Sequence, residues 1–462
     1  MKRYLLVIAL PLLVTLVLTA QSDDKLSSPR LKLDLTLFDL PYQFDAAKTV
    51  GDGDVTFGSF MKGYANPSMS QSLNLTTSMI SAAHFGMDRA WERAREKKKY
   101  LEIGSFVLAD FLLIYMPGGS GWLHEEYHRA LMTRYHVNSF NGMNKFPLGA
   151  STVSVSKVKD EDLVRFKASS SADFIRMHVA GIEGEYMMID KLQRNNFFYN
   201  QNITNEITYL LTTLNSWSYV ASCSKPGFVN DFTEEMNLKE PTIEERDFTG
   251  FDFVAWAYDL FNPDEPYEER GDHISGVGID RYRKTTDLIT EELSYLSKQG
   301  NLALLNFFSP MLYFKRAINT QKGYSFNFAV RHMLNSFGND ISINMYAKVG
   351  KWNCVLIPHF SNNFVRTFPS IEAQLIEFPY TYAGNQFLLS PKVILGTQPK
   401  NLEFKNRKAQ FLGYLGCRAD WVNKSIFYPW IELDAKTKGW IAGNEFQGSN
   451  ISLRLGVSAR FY

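Results

Sequence analysis

Cysteine is almost missing from this chain: Cys223, Cys354 and Cys417 are all there are in 462 residues. None stands in a CxxC pair and three scattered thiols make no disulfide framework, so cysteine chemistry does not organise the protein. Charge of one sign is missing too. The 49 Lys and Arg nearly cancel the 48 Asp and Glu, for a net charge of +1, and the longest basic block is the short REKKK at 95–99. Nothing in that balance draws a nucleic acid. What the chain does have is length for two or three domains of ~100–200 residues each.

Lys2 and Arg3 precede the apolar run YLLVIALPLLVTLVLTA, which QSDDK then interrupts. That is the layout of a secretory signal peptide over residues 1–20, with Ala20 at the cleavage point and a run that is short for a membrane span and broken by Pro11. Gln21 stands where a lipoprotein needs cysteine. The expectation is an exported chain without a lipid anchor at that position.

Residues 21–75 read as N-terminal strands, because RLKLDLTLF (30–38) and DVTFGSFMKGY (54–64) alternate apolar and polar residues on either side of a Gly-Asp-Gly turn at 51–53. From about 76 the period becomes helical. TSMISAAHFGMDRAWERAREKK (77–98) places Ile80, Ala83, Met87 and Trp91 on one side, and YLEIGSFVLADFLLIYM (100–116) reads as a buried core helix despite Glu102 and Asp110. Further helices are expected at 171–194, 203–220 and 283–317. Rich in Gly, Pro and acids, 223–283 reads as loops around one aromatic segment, FDFVAWAYDLF. Residues 76–317 therefore form a mostly helical domain.

Over 318–462 about eight strands follow one another between Gly and Asn turns. In the last of them Ile451, Leu453, Leu455, Val457, Ala459 and Phe461 point one way, and Ser452, Arg454, Gly456, Ser458 and Arg460 the other. A soluble sandwich would use the apolar face as its core. An outer-membrane barrel would turn it to lipid and line its lumen with the polar face. The ending ARFY, the aromatic content of 14% and the exported start resemble bacterial outer-membrane β-barrel proteins. That resemblance implies outer-membrane association through a small barrel of about eight to ten strands, filled by its own side chains, with the helical domain beside the membrane in the periplasm.

The sharpest motif is GWLHEEYHRALM at 121–132. His124 and His128 are four residues apart, so on a helix both imidazoles leave one face a turn apart and can share one metal ion. Glu125, rotated by about 100°, can stay off the metal and act as general base on a water. The stretch resembles the HExxH zinc metallopeptidases, the zincins. The resemblance implies a Zn2+ cofactor, His124 and His128 as ligands, Glu125 as catalytic base, a third protein ligand from elsewhere, and a peptide or protein substrate. Arg129 to Met132 hold no glycine and His136 falls two residues late, which excludes the metzincin pattern HExxHxxGxxH.

A gluzincin-like protein takes its third ligand from a later helix, and SADFIRMHVAGIEGEYMMIDKL (171–192) puts His178, Gly181 and Glu185 on one face. Glu185 is the chosen ligand, with Glu183 and His178 as alternatives, and Gly181 would let the two helices approach closely. The plainer reading makes His124 and His128 ordinary hydrogen-bonded side chains, with Glu125 and Glu126 on a wet face paired to Arg129. RGDHISGVGIDRYR (270–283) offers Asp272, His273 and Arg283, but reads first as a surface loop. His84, His332 and His359 stand singly in apolar segments. The fold class expected is α+β, a helical zincin-like domain followed by an antiparallel β domain. The function expected is a zinc-dependent envelope hydrolase; its rival is a non-enzymatic barrel or envelope-binding protein with a structural HEEYH helix.

Overall fold

The alternating segments of the C-terminal third all become strands. In the computed structural model, which describes residues 28–462 apart from 93, 95–97, 146–153, 200–204, 315 and 322, they pair in one antiparallel sheet. The proposed signal peptide lies outside the described residues. The N-terminal strand β1 (Leu31–Leu40) belongs to the same sheet, while β2 (Phe140–Asn141) and β3 (Val155–Ser156) make a separate short ladder. After β4 (Ile318–Asn319) come β5 (Ser325–Asn335), β6 (Gly338–Val349), β7 (Trp352–Asn362), β8 (Thr367–Leu375), β9 (Phe378–Tyr382), β10 (Asn385–Pro399), β11 (Ala409–Val422), β12 (Phe427–Lys436) and β13 (Asn450–Phe461). The order is β1-β13-β12-β11-β10-β8-β7-β6-β5-β4, with β9 on β10, giving eleven strands among the described residues.

This sheet does not close into a barrel. The expected ring of strands fails because helical segments occupy both edges before the strands can meet. At β1, Asp34 N–H donates to Ser78 Oγ at 2.9 Å and the Ser78 hydroxyl donates back to Asp34 O at 2.8 Å, from the helix Met69–Trp91. At β5, the Asn306 side chain accepts from His332 N and donates to His332 O, both at 3.0 Å. An open strand edge is a liability, and these contacts remove it.

Burial along β13 decides which way the sheet faces: Ser452, Arg454, Ser458 and Arg460 are buried, while the apolar alternates are half-buried or exposed. The helical part packs against the polar face, where the expected barrel would have held only its own side chains. Ion pairs share that face with buried Val355, Ile357, Ile394 and Leu412. Arg418 reaches Asp34 and Asp420 at 2.8 Å, Arg454 reaches Asp434 at 2.6 Å, and Arg460 reaches Glu377 at 2.6 Å. Charges taken out of water need such partners. Leu356, Phe411, Ile431, Leu433 and Ile451 are exposed on the other face.

Twelve α-helices lie among the described residues. The segment expected as a core helix forms Lys99–Ile114 but is turned inside out. Glu102, Phe106 and Asp110 are its buried residues, and Leu101, Val107, Leu108 and Phe111 are exposed. Asp110 accounts for the inversion, because its Oδ1 lies 2.5 Å from His84 Nε2 in the interior. Among the described residues no helix is long and apolar enough to cross a membrane. DVTFGSFMKGY also departs from its strand reading. It folds as the helix Phe57–Lys62, capped reciprocally by Thr56 and Ser59, a capping box that competes with strand pairing. The region read as loops, 223–283, contains the helices Pro226–Lys239 and Asp252–Phe261.

The apolar core lies mainly in the helical part, around Ile182, Val254 and Trp256 on one side and Leu123, Tyr127 and Met177 on the other. One element joins that core to the sheet. The helix Ser171–Phe198 meets the HEEYH helix along its first half, and its second half sends Asp190 to Tyr346 at 2.8 Å and Arg194 towards Glu372 at 3.7 Å.

Candidate metal centre

Gly118 and Gly119 open the HEEYH helix, Ser120–Arg134. Gly118 has φ of +80°, a conformation that side chains other than glycine's rarely adopt. The helix is buried almost throughout, including Glu126 and Arg129. These two pair as expected, at 2.6 Å, but inside the protein, with Asn141 donating to Glu126 at 2.8 Å. The wet face of the plainer reading is absent from this helix.

His124 and His128 point to one place, with ring centroids 4.9 Å apart. Asp252 Oδ2 meets them there, 3.3 Å from His124 Nε2 and 3.7 Å from His128 Nε2. Among the described residues these three form the buried His/Cys/Asp/Glu group whose ligand atoms all lie within 4.8 Å of one another, a group that could hold a metal ion. A metal fits it for a physical reason: His128 Nδ1 is engaged by Met177 O at 2.5 Å, and Nε2 is buried with no hydrogen-bond partner. A buried acceptor left alone is costly. A cation between the two rings and the carboxylate would satisfy it.

Glu185, expected as the third ligand, is brought to the site in another place. Its Oε1 is 3.1 Å from His124 Nδ1, on the far side of the ring from Asp252, and its other oxygen accepts from Ser216. A carboxylate there orients a ligating imidazole. Glu183 is engaged by Arg176, Trp440 and the Gly443 N–H. His178 is held between Asp259 at 2.8 Å and Thr249 at 3.0 Å. Neither joins the group. Gly181 faces both imidazoles, and a Cβ built there would overlap them.

Charge is unbalanced in this pocket. Burial alone would push His124 down, but Asp252 and Glu185, with the charge of Glu125, outweigh it and hold the imidazole well above its ordinary range. His128 goes the other way, pushed down to about 4 chiefly by burial. Burial, reinforced by the neighbouring carboxylates, pushes Glu125 up to about 8. Asp252 would also be raised by burial, yet His128 and His124 hold it below the usual carboxylate range.

Glu125 and Asp252 line a cavity of about 400 Å³ that also takes in Tyr219, Phe228, Phe232 and Phe251. Asp252 escaped sequence reasoning. It begins the helix Asp252–Phe261, more than a hundred residues after His128 and without a motif; the available signal was an acid at the start of an aromatic helical segment. His273 and Arg283 of the 270–283 loop are buried and internally bonded, His273 to Asn237 at 3.2 Å and Arg283 to Asp280 O at 2.8 Å. They lie apart from this cavity, whereas exposed Asp272 belongs to neither. Comparison with known proteins finds no family model, no curated relative and no solved structure that matches the chain.

Proposed function

We propose that this protein is a zinc-dependent hydrolase of the bacterial envelope that cleaves an amide bond, as a peptidase does, from within a lipid bilayer. The observation that carries the chemistry is the unpartnered His128 Nε2 facing Asp252 and His124, with Glu125 adjacent in sequence to a ligand. Two imidazoles and one carboxylate are a donor set of catalytic zinc sites, which leave a further position open. The same set serves non-haem iron, but a neighbouring buried carboxylate favours water activation. Asp252 in place of a glutamate departs from the gluzincin pattern, so the likeness to zincins rests on HEEYH.

When bound, the cation polarises a carbonyl and lowers the pKa of a water. Beside a cation, the raised Glu125 carboxyl returns to its ionised form. Glu125 therefore takes the proton as the water oxygen bonds to the carbonyl carbon, then delivers it to the leaving nitrogen as the C–N bond breaks. Tyr219 Oη accepts from Asp252 N–H at 3.2 Å, leaving its own proton for the carbonyl oxygen as negative charge gathers there. Glu185 and the Met177 carbonyl fix the two imidazoles.

The bilayer half of the reading is supported by the inverted sheet and by the inverted helix Lys99–Ile114, which bury ion pairs and acids while exposing leucine, isoleucine and phenylalanine. We take an apolar exterior over an ion-paired interior as support for lipid as the outer solvent. The test is metal analysis with an amidase assay. One zinc per chain, with activity lost and zinc kept in Glu125→Gln, supports the hydrolase; purified full-length protein that binds no metal ends it.

A further inference from the structure

The cavity at the metal centre has two unlike ends. At the inner end stand Asp252, His124 and Glu125. From there an aromatic wall runs outward: Phe251, next to Asp252 in sequence, packs against Phe228 and Phe232 with ring centroids 5.5 and 5.6 Å away. Those two rings sit four apart on the helix Pro226–Lys239 and are 51% and 47% exposed. Exposed aromatics at the mouth of a buried polar site mark a surface meant to be covered.

Other residues of the same lining say by what. Ile114 and Tyr115 line the same cavity and end the helix Lys99–Ile114. Phe111, 5.5 Å from the Tyr115 ring between centroids, carries the apolar surface onward to exposed Leu112, Leu108 and Leu101. Apolar side chains therefore run from the face assigned to lipid to this cavity, whose lining is completed by Asp247, Asn215 and Ser218.

Resting on the hydrolase reading, we propose that the substrate is an amphiphile drawn from the bilayer: an amide whose carbonyl reaches the metal centre and whose long acyl chain lies between Tyr115 and the Phe228–Phe232 pair. Asn215 and Ser218, also on the cavity wall, face the polar part of such a molecule. A cavity of about 400 Å³ falls within the usual range for small-molecule sites, ~300–1,000 Å³.

The experiment measures binding of fluorescent N-acyl dipeptides with 4, 8, 12 and 16 acyl carbons to the full chain in lipid nanodiscs, after chelator treatment to remove metal. The chain reading expects affinity for the free aqueous ligand, after subtraction of the signal from empty nanodiscs, to rise on the order of tenfold for every two methylenes and then level off. Phe228→Ser with Phe232→Ser should flatten the length dependence, and Leu238→Ala, exposed on the same helix, should leave it unchanged. Free fatty acids of equal length should show the same dependence if the chain alone is read. Corrected affinities that ignore chain length, or that survive the double serine variant, overturn the proposal. Because the protein is metal-free in this assay, that failure is separate from failure of the hydrolase reading, which would show as absence of zinc with chain binding intact.

Discussion

His128 Nδ1 lies 2.5 Å from the carbonyl oxygen of Met177, which joins the HEEYH helix to the backbone of the helix Ser171–Phe198. The carbonyl can only accept, so Nδ1 carries the proton and the lone pair of Nε2 faces Asp252. A ring committed in this way is ready for a cation before one arrives. The expected outcome is one zinc per chain, lost in the His124→Ala, His128→Ala double variant. Asp252→Asn should abolish tight binding, whereas Glu185→Gln, which meets His124 at the nitrogen remote from Asp252, should keep the stoichiometry and weaken affinity by about 10–100-fold. Titration against a zinc indicator checks both, and the reverse order of effects would restore Glu185 as the ligand.

Glu125→Gln preserves shape and removes the base. Turnover should fall by about 10²–10⁴-fold with zinc content unchanged. Tyr219→Phe should lower kcat more than it raises KM, since its proton is needed as charge gathers on the carbonyl oxygen. Steady-state kinetics on an acyl amide separates the two, and a Glu125→Gln enzyme of undiminished rate removes that residue from the mechanism.

Gly181→Ala puts a methyl group where both imidazoles lie. The helices must separate or the rings must turn, at a cost of about 1–3 kcal/mol. We expect a lower thermal midpoint and lost zinc binding together. Gly58→Ala, with only the Thr56 side chain near its new Cβ at 3.7 Å, serves as the control that keeps zinc binding and does not lower the midpoint.

The reach of the sequence follows from which interactions are local. Spacing of four places His124 beside His128 on any helix, and spacing of three and four sets Gly181 and Glu185 on one face. Asp252 is joined to them only by tertiary packing, so no period reveals it. Alternation in β13 defines two faces but is symmetric between them. Arg454 and Arg460 point inward because Asp434 waits on the neighbouring strand β12 and Glu377 in the turn between β8 and β9, and such pairing is not written in either segment. Glu102 and Asp110, eight apart, did mark one stripe of their helix; the partner that draws Asp110 inward, His84, lies on another.

Asp259 is a buried carboxylate held by Arg270 at 2.6 Å, Lys167 at 2.8 Å and His178 at 2.8 Å. Burial alone would raise its pKa, but these partners, Arg270 foremost, hold it well below the carboxylate range. A group whose folded pKa is depressed stabilises the fold above its unfolded pKa of about 4 and loses that contribution as pH falls further. Thermal midpoints should therefore decline below pH ~4 in the natural protein. Asp259→Asn should cost about 3–5 kcal/mol at pH 7, because it strands buried cations, and should show a shallower acid decline. Equal acid sensitivity in both proteins would exclude Asp259 as a source of it.

The inverted surface makes the bilayer reading testable at single side chains. If lipid covers it, the exposed leucines 108 and 433 replace water with hydrocarbon at no cost, and a lysine in either place carries a charge into hydrocarbon, about 2–4 kcal/mol near the midplane. Leu108→Lys and Leu433→Lys should each reduce membrane retention in fractionated cells and slow insertion of refolded protein into vesicles. Glu92→Lys, a charge reversal beyond the end of the helix Met69–Trp91, should do neither. If water covers the surface instead, both leucine variants become more soluble and the natural protein is recovered without detergent. The sign of the change therefore decides which solvent the sheet was built to meet.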